Sequence, residues 1–244
     1  FGRCLFGVFR GQSEQALVHA GIPFFNPADL QEYLDYGIHA IELSRFSGCW
    51  VGMKCVTETI EGSANVLGDP QRVSVRLPSV DMPEDGVHIR GFEWPTEQET
   101  RLIRYKLPAV REYVKENVLN RITLDAPVRR FGIVTTGRTW HDVRQALLNL
   151  GIGEDQAREL GITIYKVAMP WPLEPTRIRE FCKGLERVLV IEHKRPLIEE
   201  QLRSVLYSLP DNERPFIEGK QDRFGKPLLS QVSSIPVPEM AHAL

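Results

Sequence analysis

The sequence predicts an α/β fold, a mostly parallel sheet with helices on both faces. Three observations carry that prediction. Arg130 to Gly151 reads as a strand, a tight polar loop and a helix. Apolar runs with β-branched residues recur at Phe131–Thr135, Ile162–Val167 and Arg187–Ile191, each followed by residues at helical spacing. The links are short, and strand–helix units joined by short links imply parallel strands with right-handed crossovers.

In the first unit, Thr139 is placed as helix N-cap, with Asp142 three residues on completing a capping box. Trp140, Val143, Ala146, Leu147 and Leu150 form the apolar stripe, and Gly151 suits the left-handed position after the last turn. In the second, Trp171 to Pro175 is a turn, and Pro175 opens a helix with Ile178, Phe181, Cys182 and Leu185 on one face. The third continues into a helix marked by Leu197, Ile198, Gln201, Leu202, Val205 and Leu206. Pro215 to Gly219 reads as an edge strand, and residues 221–244 as a Pro- and Ser-rich, poorly ordered tail.

Ahead of these units the pattern is looser. Residues 1–21 give no clear reading, and Ile22–Phe25 suggests a short strand. Asn26 is expected to cap a helix with Pro27 at its first position and a buried stripe of Leu30, Leu34, Ile38 and Ile41. A second apolar helix is expected from Cys49 to about Glu61. Residues 66–127 read as a connecting region with one strand, Val73–Leu77, and a long helix from Thr96 that Pro108 kinks or restarts.

Composition excludes several functions. The 244 residues carry a formal net charge of −2 and are 42% apolar and 25% charged. The isoelectric point near 6.4 gives no reason to expect nucleic acid or an anionic membrane as partner. No apolar run approaches the roughly 20 residues needed to span a bilayer, and no signal peptide is visible, so a cytoplasmic location is expected. Cys4, Cys49, Cys55 and Cys182 lack C-x-x-C spacing and read as buried thiols, not as metal ligands. The first residue is Phe1, which suggests a segment of something longer.

Candidate site residues cluster where the predicted strands end. Thr135, Thr136, Gly137, Arg138 and Thr139 either cap a helix or meet a phosphate or carboxylate. Glu192 to Arg195 follow a buried strand, at the edge where open α/β sheets bind ligands. Parallel strands would bring the Thr136–Thr139 loop and Glu192 to one carboxyl edge, as an anion site or a domain interface. Trp50 and Trp140 are expected in the core, and His141 on the surface.

Two stretches, Asn26–Asp35 and Ser44-Arg-Phe-Ser-Gly-Cys-Trp-Val-Gly-Met-Lys54, resemble the 2-oxoacid:ferredoxin oxidoreductases, most closely the indolepyruvate ferredoxin oxidoreductase branch. The later TTGRT, VAMPWPLEP and RVLVIEHKR segments resemble the transketolase C-terminal-like domain of that family. The resemblance runs from about Gln12 to Lys220. It implies that residues 1–65 end a pyrimidine-binding domain for thiamine diphosphate, and that residues 128–220 form the transketolase C-terminal-like domain. It further implies decarboxylation of an arylpyruvate on thiamine diphosphate with Mg²⁺, electron transfer through [4Fe–4S] clusters to ferredoxin, and formation of an acyl-coenzyme A. Arg45 and Lys54 belong to its most specific string; they either line a cofactor edge or pin two helix ends by charge.

The activating carboxylate would lie upstream of this segment, and no G-D-G…N signature or cluster-binding cysteine motif follows, so none of these cofactors is expected on the segment alone. The expected partners are other domains or subunits of the same oxidoreductase. Two alternatives stand beside this reading: a non-catalytic binding or assembly module of the same fold, and part of a thiamine-dependent dehydrogenase or transketolase that does not use ferredoxin.

Overall fold

A computed structural model describes residues 12–69 and 71–244. The reading of residues 1–11 therefore lies outside the described residues. From the N-terminus the chain forms α1 (Ser13–His19), β1 (Phe24–Phe25), α2 (Leu30–Ser47), β2 (Gly52–Met53) and α3 (Thr57–Ile60). An extended stretch leads to α4 (Pro95–Arg101), a π-helical turn (Leu102–Lys106) and α5 (Leu107–Glu116). Then come β3 (Arg121–Leu124), β4 (Phe131–Thr136), α6 (Thr139–Asn149), α7 (Glu154–Glu159), β5 (Ile162–Val167), α8 (Pro175–Cys182), β6 (Arg187–Ile191), α9 (Ile198–Leu206), β7 (Phe216–Glu218) and α10 (Val237–Ala243).

The main sheet has five strands in the order β3-β5-β4-β6-β7. The three apolar runs of the sequence are its centre: β4 is parallel to both β5 and β6. β7 joins β6 in parallel as the edge. Pleating sends alternate residues to opposite faces. Ile133, Ile164, Leu189 and Ile191 pack against Val143, Ala146 and Leu147 of α6. Val134, Tyr165, Val188 and Val190 pack against α8 and α9 through Ile178, Phe181, Ile198 and Leu202. Helices thus cover both faces, as the sequence predicts.

Several expectations are corrected. Residues 120–127 contribute β3, which pairs antiparallel with β5. The supposed tail is part of the fold, because Leu229, Ile235, Met240 and Ala243 complete the core over α6. Val73–Leu77 forms no strand; the side chain of Asn117 bonds both the N–H and the carbonyl of Arg76, at 2.8 and 2.7 Å, where a partner strand would have done so. The helix expected from Cys49 to about Glu61 shrinks to the single turn of α3, Thr57–Ile60. Gly52 and Met53 instead pair in parallel with Phe24 and Phe25, so residues 24–53 form a β–α–β unit. Pro108 sits in the first turn of a restarted helix: it cannot donate to the carbonyl of Arg104, and the π-helical turn Leu102–Lys106 separates α4 from α5.

The long helix α2 departs most from expectation. Asp29 caps it, accepting from the Glu32 N–H at 3.0 Å, and Asn26 does not. Its buried stripe is Glu32, Tyr36, His39, Leu43 and Ser47. Leu34 and Ile41, expected inside, are 44% and 61% exposed. Tyr36 and Leu43 join Phe25, Val110, Tyr113 and Met169 in a third core between this unit, α5 and the chain after β5.

Candidate functional site

The carboxyl ends of the central strands meet the β1–α2–β2 unit along one seam. The Thr136–Thr139 loop lies at its middle. Gly137 has φ of 54°, and a Cβ there would overlap the Asn26 side chain. Asn26 Nδ2 donates to Thr136 Oγ1 at 3.2 Å, and that hydroxyl donates to the Val167 carbonyl at 2.7 Å. The expected capping box does not form. α6 starts one residue earlier, with Arg138 in the cap position and Thr139 as its first residue. Thr139 turns its hydroxyl back into the sheet, 2.7 Å from the Thr136 carbonyl, 2.7 Å from Thr135 Oγ1 and 3.1 Å from the Ile191 carbonyl. Asp142 binds Arg138 at 3.2 Å. The N–H groups of Trp140, His141 and Asp142 donate to the carbonyls of Gly137 and Arg138, so they are turned to the loop itself.

Glu192 emerges beside this loop and is buried. Its carboxylate accepts 3.0 Å bonds from the N–H groups of Leu197, Ile198 and Glu199, capping α9 from within the chain. Burial pushes its pKa up to about 7, against the pull of those N–H groups. Lys220, also buried, donates to the Glu192 carbonyl at 2.5 Å and to the Ser230 carbonyl at 3.2 Å, and its pKa is lowered by burial. His193 Nδ1 accepts from the Ile235 N–H at 3.1 Å. Burial, with the positive charges of Lys54 and Lys220 nearby, lowers its pKa to about 4. Lys54 is thus brought toward the Glu192 end of the seam, where it pairs with Glu14 of α1.

The other end of the seam holds a buried ion pair. Lys166, 2% exposed, reaches Glu32 of α2 at 2.6 Å. Glu32 also accepts from the Tyr36 hydroxyl at 2.8 Å and the Ala28 N–H at 2.9 Å. The ammonium stands 3.9 Å over the Trp140 ring. Burial lowers the Lys166 pKa and Glu32 opposes that shift. Next to it, His141 Nε2 lies 3.3 Å from Asp29. Burial lowers the His141 pKa, with Asp29 acting the other way.

Of the residues singled out in the sequence, Thr136, Gly137, Arg138, Thr139, Glu192 and Lys54 therefore lie on one seam. Arg45 does not share it: it is exposed at the end of α2 and pairs with Glu42 of its own helix at 3.1 Å. Two core expectations are revised: Trp50 is 78% exposed, and Cys55 is exposed while Cys49 and Cys182 are buried. Trp140 is partly buried and donates to Thr123 Oγ1 at 3.0 Å. Among the described residues no group of His, Cys, Asp and Glu is placed to hold a metal ion, and no helix is long and apolar enough to cross a membrane. Two open depressions, of about 870 and 680 Å³, lie away from the seam, beside Arg187 and Phe216 and beside Asp85 and Tyr105.

Sequence reasoning missed Lys166, Glu32, Asp29 and Lys220. One signal was present: a lysine inside the apolar run ITIYKV has to be paired if the strand is central. Its partner lies 134 residues away, beyond any local pattern.

The family model described as the indolepyruvate ferredoxin oxidoreductase middle domain matches residues 120–243. Subunit IorA of indolepyruvate oxidoreductase from Methanothermobacter thermautotrophicus is 28% identical over 208 residues, covering 81% of this chain and 31% of that protein. The same subunit from Pyrococcus horikoshii is 27% identical over 209 residues, covering 82% and 30%. The chain therefore spans about a third of the length of these curated relatives. A solved 2-oxoglutarate:ferredoxin oxidoreductase from Magnetococcus marinus, with 2-oxoglutarate, coenzyme A and succinyl-CoA bound, superposes with a TM-score of 0.50 at 14% identity. It covers 90% of this chain and 43% of that one, a likeness of fold.

Proposed function

This chain belongs to the indolepyruvate ferredoxin oxidoreductase family through its middle domain, and on that premise we propose that it is a segment of an indolepyruvate-type 2-oxoacid:ferredoxin oxidoreductase. The reaction is thiamine-diphosphate-dependent oxidative decarboxylation of an arylpyruvate to an acyl-coenzyme A, with electrons passed through [4Fe–4S] clusters to ferredoxin. The family match over residues 120–243 carries this reading, supported by relatives named as oxidoreductase subunits. Residues up to about 65 are the end of a pyrimidine-binding domain, the residues from 66 to just before β3 a connection, and the α/β domain begins with β3 near residue 120.

The described residues do not by themselves fit thiamine diphosphate, Mg²⁺ or a cluster. The carboxylates of the seam are committed to backbone N–H groups or to lysine and histidine, and no metal-holding group is assembled. No step of the reaction is assigned to these side chains. Their role is to fasten the end of one domain to the carboxyl edge of the next and so form part of the wall of the cofactor cleft. Arg138, half-exposed at that edge, and Lys54, just after β2, are the cations that would face a neighbouring domain or an anionic group there, while Arg45 lies exposed away from the seam. The other partners are further domains or subunits of the same enzyme, with ferredoxin and coenzyme A as partners of the whole.

The test is an assay of the full-length protein with indolepyruvate, coenzyme A and ferredoxin. Ferredoxin reduction that requires thiamine diphosphate is expected. Turnover of the 2-oxoacid without ferredoxin reduction would move the protein to the other thiamine-dependent dehydrogenases, and absence of turnover would leave the assembly-module reading.

A further inference from the structure

The amino edge of the sheet, opposite the seam, carries an open depression of about 870 Å³ beside the first residues of β6 and β7, Arg187 and Phe216. Four cations line it: Lys183, Arg187, Arg214 and Arg223. Three are held by carboxylates, Lys183 by Glu180 at 2.6 Å, Arg187 by buried Glu218 and Arg214 by Asp211. Among the described residues no carboxylate pairs with the Arg223 guanidinium. It stands instead between two aromatic rings, 5.8 Å from the centroid of Phe216 and 5.1 Å from that of Phe224. Those rings are 60% and 74% exposed. The chain is built to hold this arginine in place. Its backbone N–H donates to Glu218 Oε1 at 3.1 Å, on the same carboxylate that fixes Arg187. Asp222 Oδ1 accepts from the N–H groups of Phe224 and Lys226 at 2.9 and 2.8 Å and so closes the turn that presents Arg223.

We propose that this depression binds a small aryl carboxylate, its ring against Phe216 and its carboxylate on Arg223. A planar guanidinium offers two parallel donors that match a carboxylate, and stacking on a ring orders that fork before the ligand arrives. Less freedom is then lost on binding than by an arginine free in solvent. The exposed Phe216 ring beside it takes a second ring by offset stacking. The charge balance selects a monoanion. Arg223 is the cation left uncompensated among the described residues, whereas Glu186 and Glu213 also line the depression and oppose a second negative charge such as a phosphate carries. The residues concerned lie at the amino ends of β6 and β7 and in the turn after β7, so the proposal does not rest on the thiamine-dependent reading.

The test is photolabelling of the full-length protein with 4-azidophenylacetate, followed by mapping of the labelled peptides. The expected label falls within residues 183–187 or 207–226 and is competed by phenylacetate, but not by equal concentrations of acetate or inorganic phosphate. Arg223→Ala should reduce it about tenfold, the loss of one charged hydrogen-bonding partner. Phe216→Ala should reduce it as well. Both side chains are exposed, so the melting temperature of either variant should stay that of the parent. Competition by inorganic phosphate would overturn the choice of a monoanion, and competition by acetate as strong as by phenylacetate would overturn the role of the rings. Label confined to other segments, or label unchanged in Arg223→Ala, would overturn the site itself. The readout is the position of a covalent label and not turnover, so its failure is separable from a failure of the functional reading.

Discussion

Helices α2 and α6 lie on either side of the same seam and bury their residues by different rules. α6 hides Val143, Ala146 and Leu147 against the sheet, as its apolar spacing predicts. α2 hides a glutamate, a tyrosine and a histidine and shows leucine and isoleucine to the outside. Helical periodicity therefore locates a stripe correctly in both cases. It identifies the inward face of α6, which meets apolar strands, but not that of α2, whose inward face is met by the lysine of a distant strand as well as by apolar residues of α5.

The largest effect expected from breaking this contrast is at Lys166. Lys166→Met removes the ammonium and leaves the buried Glu32 with the Tyr36 hydroxyl, the Ala28 N–H and the half-exposed Arg121 guanidinium 3.5 Å away. Removing one partner of a buried pair typically costs about 3–5 kcal/mol. A large drop in melting temperature is expected, and a shift below that of a surface substitution such as Leu148→Ala would show that the pair does not hold the seam.

A smaller effect is expected at Gly137. Its φ of 54° disfavours any side chain, and a Cβ would displace Asn26. Gly137→Ala should destabilise by about 1–3 kcal/mol, measured by urea unfolding. Asn26→Gly in the same chain should recover part of the loss.

The Glu192–His193 pair sharpens the comparison by pH. The Glu192 pKa is raised from 4.5 to about 7, so between those values the folded chain holds a proton that the unfolded chain has released, and stability falls as pH rises. The His193 pKa is lowered from 6.5 to about 4, so the unfolded chain holds the extra proton and stability rises with pH across that window. The two opposing slopes overlap between pH 4.5 and 6.5. Glu192→Gln should make stability rise more steeply with pH there, and His193→Asn should make it fall. Tilts of the same sign in both variants would contradict the assignment.

The smallest effect on stability is at Arg138, whose partly exposed pair with Asp142 contributes about 0.3–0.5 kcal/mol. Arg138→Ala should leave the melting temperature of the full-length enzyme nearly unchanged while lowering kcat/KM. Unchanged kinetics with lost stability would make Arg138 a scaffold residue.

The sheet was legible because its central strands are continuous apolar runs buried on both faces, a signal carried by adjacent residues. β3 was not, because Arg121-Ile-Thr-Leu124 is a short edge strand whose hydrogen bonds lie with β5. α10 was missed because its apolar residues gain meaning only against α6. The same distinction holds at the seam. The loop and Glu192 follow from strand direction alone, whereas Glu32–Lys166 and Asp29–His141 join residues 134 and 112 positions apart. The inverted burial of α2 has the same cause: a buried glutamate is acceptable only because a lysine from a distant strand meets it.

A double-mutant cycle on Glu32→Gln and Lys166→Met, read by reversible urea unfolding, tests most directly whether one buried pair fastens the two regions. The account predicts a double variant that loses clearly less stability than the two singles together, because each single substitution already breaks the contact the other would remove. Additivity within about 0.5 kcal/mol would contradict it, since the two side chains would then act independently and the seam would have to be held by something else.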